Sequence, residues 1–149
     1  MSSKGTESAN QSRAYGPLTR ASQFFYAKSS LVTAVLATLV FAGYTVLVLS
    51  GQGKAFEVAN SSIKSLGTSL GFGQAEILAF LAERSTDQIA AYITFNQVWD
   101  TLFGVIYGVM YVVWASLLLK PYSQKVGILN LLPFGQVLFD WLENIGLAT

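Results

Sequence analysis

Apolar residues in this chain fall in long runs separated by short polar stretches. Residues 31–50 carry no charged side chain. A run of about 20 such residues is what a helix needs to cross a hydrocarbon layer of ~30 Å. A second run covers residues 98–119 and ends at Lys120-Pro121. There proline cannot continue the helix, and the lysine can snorkel to a membrane surface. A third covers 126–147. Gly51-Gln52-Gly53 is expected to end the first helix. The short connection Tyr122 to Lys125 makes the second and third runs an antiparallel hairpin.

The stretch between the first two runs has its own pattern. Residues 75–82 carry Ile77, Leu78, Phe80 and Leu81, flanked by Glu76, Glu83 and Arg84. Ser85 precedes Gln88 by three residues, which is the spacing of a capping box, and Asp87 falls in the first turn, where the helix dipole favours it. The pattern predicts a short amphipathic helix near 74–83 and a long helix from about 86 to 119, so that the segment 74–97 forms a cap over one end of a bundle or a surface for a partner. Gly67, Gly71 and Gly73 read as a hinge, because no Gly-Lys-Ser/Thr follows them to form a phosphate loop.

Composition strengthens the membrane reading. Of 149 residues, 52% are hydrophobic and 11% charged, against about 25% charged in a typical soluble domain. Mean hydropathy is +0.48. A net charge of +1 gives no electrostatic basis for binding nucleic acid. With no cysteine and no histidine there is no disulfide, thiolate nucleophile, iron–sulfur cluster or imidazole base. Nothing in the sequence calls for a cofactor.

Residues 1–28 are polar, with Glu7 their only acid, and too poor in apolar residues for a core. They read as a disordered tail, and their basic, acid-poor composition is also that of a transit peptide. Residues 29–149 form the membrane domain. Lys4, Arg13, Arg20 and Lys28 in the tail, with Lys120 and Lys125 in the hairpin turn, place both on the cytoplasmic side of a multi-pass protein.

Asp140, Glu143 and Asn144 share one helical face in the third run, and chain direction sets them level with Asp100 at the start of the second. Ionisable groups in a hydrophobic segment mark a functional site by default. No Lys, Arg or His lies within the runs to neutralise the three carboxylates, so like charges in a low-dielectric site need help. Protonation, a hard cation or Arg84 reaching in from above would each supply it. Asp100, Asp140, Glu143 and Asn144 are therefore candidate ion- or proton-binding residues. A hydrogen-bonded network that only ties the helices together is the plainer reading, and an acid–base carboxyl pair is the catalytic one. Gly104-x-x-x-Gly108, with Tyr107 on the same face and Gln136 on the third run, forms a seam for close helix packing.

In its last 50 or so residues the chain resembles a loose group of small polytopic membrane proteins of uncharacterised activity. The shared features are an acidic residue opening one helix, here Val98-Trp99-Asp100, and a helix of the form Leu132-Pro133 to Asp140, Glu143 and Asn144. The resemblance implies four helices and no particular activity. This chain departs from that pattern by ending directly after the third run, so a fourth helix is expected to be lost, to lie outside this chain or to be supplied by a partner. The expected architecture is an all-α integral membrane bundle of three transmembrane helices with an amphipathic cap between the first two. The expected role is a non-enzymatic accessory or assembly subunit, in contact with lipid and with other transmembrane helices. The alternatives are a small transporter or cation-binding protein, and a membrane enzyme.

Overall fold

A computed structural model describes residues 16–59, 61, 63, 65–66 and 73–148 of the chain, and those residues are helical throughout apart from their connections. Helix α1 is Pro17–Lys28. Helix α2 is Leu31–Phe56, in which the turns at Tyr44–Leu49 widen to π-helix. The cap helix α3 is Gln74–Ala82. Helix α4 covers 86–119, again with a π-helical segment, at Phe95–Asp100. A series of short turns over 120–131, here the elbow, leads into α5, Leu132–Ala148.

Two stretches, Leu31–Phe56 and Thr86–Gly146, are long and apolar enough to cross a membrane. The second is not straight. Asn130 meets Ser116, Val137 meets Gly108, Trp141 meets Thr101 and Asn144 meets Asp100. As one number rises the other falls, so α5 runs back along α4. Helix α2 is antiparallel to α4 as well: Trp114 Nε1 donates to Thr38 Oγ1 at 3.0 Å, Phe41 stacks on Phe103, and the Tyr44 hydroxyl donates to the Trp99 carbonyl at 2.9 Å. Helix α4 is thus the middle helix, which explains why Gly104, Tyr107, Gly108, Met110, Val112 and Ser116 are all buried on it. Helix α2 touches the bundle along one narrow seam that runs from Ala34 through Thr38 and Phe41 to Tyr44, with Leu36, Leu39 and Leu47 exposed on its other faces.

Three sequence expectations need correction. Residues 17–28 of the supposed disordered tail are helical, because Pro17 starts the helix and Ser22, Tyr26 and Ser29 form a buried stripe against the elbow; residues 1–15 lie outside the described residues. Gly51-Gln52-Gly53 does not end α2. Both glycines keep right-handed helical angles, and the chain turns extended only at Glu57. Regular helix in the third run starts at Leu132 rather than 126, because Gly127 sits at φ 55° and turns the backbone into the elbow. That conformation favours glycine for lack of a Cβ. The expected hinge at 67–73 falls outside the described residues except for Gly73.

At the other end, Phe56, Leu66, Phe80 and Tyr92 form the core of the cap. The ring of Tyr92 packs on both Phe56 and Phe80. Arg84, buried, donates to the carbonyls of Phe56, Phe80 and Ile63, and its guanidinium carbon lies 3.6 Å from the centre of the Phe80 ring. Ser85 and Gln88 cap α4 reciprocally, as their spacing predicts.

Candidate functional site

The widened turn at Phe95–Asp100 brings Asn96 and Asp100 to the side of α4 that faces α5. A π-helical turn leaves carbonyls without their usual partners, and side chains take them up here. Thr101 Oγ1 donates to the Asn96 carbonyl at 3.1 Å, and Asn96 Nδ2 donates to the Tyr92 carbonyl at 2.8 Å. On α5, Asp140, Glu143 and Asn144 point back at this turn. The six side chains of Asn96, Asp100, Asp140, Glu143, Asn144 and Ser65, with Phe95, line one cavity of about 110 Å³ at the cap end.

Within it, Asn144 Nδ2 donates to Asp100 Oδ2 at 3.0 Å. Asp140 Oδ2 is buried and accepts no hydrogen bond. It lies against Gly104, where an added Cβ would come within 3.1 Å of it and equally close to Trp141 Nε1. The indole N–H is directed elsewhere, donating to the Thr101 carbonyl at 3.1 Å. Glu143 stands at the exposed rim. All four candidate ion- or proton-binding residues therefore meet at one cavity, and a hydrogen bond links Asn144 to Asp100 across the two helices. Arg84 binds the carbonyls of the cap described above. Among the described residues no group of three or more acidic side chains is placed to hold a metal ion. A cavity of 110 Å³ admits water or a small ion, but it is well below the ~300 Å³ at which substrate pockets begin.

The packing residues divide. Gly104, Tyr107 and Gly108 are buried in the seam, and a Cβ on Gly108 would stand 2.5 Å from Val137 Cγ2. Gln136 is exposed instead, at the lip of an apolar groove of about 750 Å³ formed with Tyr111, Trp114, Leu118 and Phe139.

A second polar centre, not singled out from the sequence, lies at the elbow end. Asn130 is fully buried; its Nδ2 donates to Ser116 Oγ at 2.8 Å and to the Ser22 carbonyl at 3.3 Å, and its Oδ1 accepts from Ser22 Oγ at 2.6 Å. A lone amide within an apolar run was the available signal, by the same reasoning that marks Asp140.

Compared with known proteins, the chain matches no family model, no curated protein and no solved structure.

Proposed function

We propose that the chain crosses a bilayer three times, through α2, the apolar part of α4, and α5, and works as a non-enzymatic accessory or assembly subunit of a membrane complex. The reversal at the elbow supports three crossings from the two apolar stretches. Arg20, Lys28, Lys120 and Lys125 gather at the elbow end, which supports a cytoplasmic elbow.

The observation that carries the assembly role is Gln136. Its carboxamide sits exposed on the outer face of α5, in the lining of an otherwise apolar groove at membrane depth. An amide facing hydrocarbon is costly without a partner, and transmembrane helices use such groups to associate. The groove fits a transmembrane helix of another protein that presents a hydrogen-bonding side chain to Gln136.

Purification in mild detergent tests this. The wild-type chain is expected to retain a second membrane protein, and Gln136→Leu to lose it while staying folded. A wild-type monomer with nothing bound, or a complex made only of copies of this chain, overturns the accessory role.

A second reading is favoured by Asp140 Oδ2, the buried acceptor with no donor beside the cavity. On that reading Asp100, Asp140 and Glu143 pass a proton, since among the described residues no three acidic side chains are placed to hold a metal ion. Asp140→Asn would then abolish proton movement in proteoliposomes without loss of folded protein, whereas loss of the fold points to a network that only joins helices.

A further inference from the structure

On the elbow face, α1 and the elbow enclose a notch of about 510 Å³, lined by Thr19, Ser22, Gln23, Lys120, Ser123 and Gln124 among others. Lys120 is the one charged residue in that described lining. Its Nζ donates to the Ser29 carbonyl at 3.1 Å, which holds the ammonium in place and leaves donors to spare. The hydroxyls and carboxamides around it can donate to an oxyanion, and no carboxylate lines the notch to repel one.

The notch has a definite depth. Lys120 directly follows the last residue of the apolar helix Thr101–Leu119, so the ammonium lies where hydrocarbon gives way to headgroups. The opposite flank of α1 is different: Leu18 and Ala21, with Leu129 and Leu138, line an apolar groove of about 450 Å³. Leu18 and Phe24 are exposed on the same helix. One helix thus offers a cationic polar notch on one side and an apolar trough on the other, as suits a helix lying at the interface.

We infer that the notch binds the phosphate of an anionic glycerophospholipid, with Lys120 as its counter-ion and Thr19, Ser123 and the carboxamides as hydrogen-bond donors. The ligand chemistry is an organic phosphate, and the place of the notch at the end of an apolar helix favours a lipid over a soluble phosphate. This inference rests on the membrane reading above. If the chain is recovered without detergent in the soluble fraction, that reading fails first and separately.

The full chain, purified in maltoside micelles, can be titrated with phosphatidylglycerol, phosphatidylcholine or inorganic phosphate, with bound lipid counted by native mass spectrometry. Phosphatidylglycerol should be retained over phosphatidylcholine, and Lys120→Gln should lose about fivefold of that preference, the share expected of one lysine near an anionic surface. Lys120→Arg should keep it. Lys125→Gln, in the same elbow but outside the notch, should also keep it. Equal losses in the two glutamine variants would mean diffuse attraction and no site. An unchanged preference in Lys120→Gln, or none in the wild type, overturns the inference outright. Displacement of phosphatidylglycerol by millimolar inorganic phosphate would assign the notch to a soluble anion and overturn the lipid as its source. Thermal unfolding of each variant without added lipid separates a lost site from a lost fold.

Discussion

Asn144 donates to Asp100 across 3.0 Å, so the last turns of α5 are tied to α4 beneath the cap. Asp100→Ala leaves the donor of a buried Asn144 unmatched, whereas Asp100→Asn still presents an acceptor oxygen. A double-mutant cycle over Asp100→Ala and Asn144→Ala, followed by unfolding in detergent, should give a coupling of about 0.6 kcal/mol and at most about 1.7. Asp100→Asn should stay close to wild type. Zero coupling would mean that the pair contributes nothing to the hairpin.

Gly108→Ala should destabilise the hairpin. The new methyl meets Val137 Cγ2 at 2.5 Å, and Val137 is buried with little room to retreat. Overpacking of this kind costs about 1–3 kcal/mol, offset by up to about 1 kcal/mol of improved helix propensity. Adding Val137→Ala should recover most of the loss, since it removes the atom that clashes. Melting temperatures of the two single variants and the double variant decide the matter.

Asn130→Ala should release α1. The substitution leaves Ser22 and Ser116 buried without their shared partner, at a cost of about 1–3 kcal/mol. Hydrogen exchange should rise across residues 17–28 well before it rises in α4. Uniform protection of α1 in the variant would show that the apolar contacts of Tyr26 and Phe25 hold the helix alone.

Arg84→Lys should loosen the cap although it keeps the charge. A lysine cannot reach the carbonyls of Phe56, Phe80 and Ile63 together, and it does not stack on the Phe80 ring as a planar guanidinium does. Limited proteolysis should cut the variant between 57 and 85 faster than wild type, leaving the two apolar stretches intact.

Acid should fray the start of α3. Glu76 Oε2 accepts from the Gly73 N–H at 2.9 Å, and backbone hydrogen bonds hold its carboxyl below the ordinary glutamate range. A depressed folded-state value means the cap contributes fully above that range (~4.3) and is lost as pH falls through the lower value. Hydrogen exchange at 74–77 should therefore rise on acidification in wild type, and Glu76→Gln should flatten the dependence.

Much of this organisation was legible in the sequence because a few residues act through period and spacing alone. Ser85 and Gln88 announced the start of α4, and chain direction placed Asp100 level with Asp140 and Asn144. Gln136 shares the period of Asp140 yet faces outwards, since residues four apart are offset by about 40° around a helix and α4 covers only the neighbouring sector. Helix α1 was missed because its buried face is built from Ser22 and Tyr26, and Ser22 finds its partner in Asn130, more than 100 residues away. Glycines 51 and 53 misled in the opposite direction: propensity disfavours them in a helix, but the packing of Phe56 on Tyr92 and Phe95 carries the helix past them.

The two π-helical segments face each other, joined by the hydroxyl of Tyr44 and the carbonyl of Trp99. Each accommodates one residue more than a regular turn would hold. Deleting a single residue between 95 and 100 would close the wider turn to regular helix and leave the flanking helical segments in phase, because the wide turn already absorbs the extra residue. The change would fall on the side chains inside the turn: Asn96 and Asp100 would no longer both keep the register that brings them to the carboxyl-lined cavity. Such a deletion should cost the cavity while sparing the bundle.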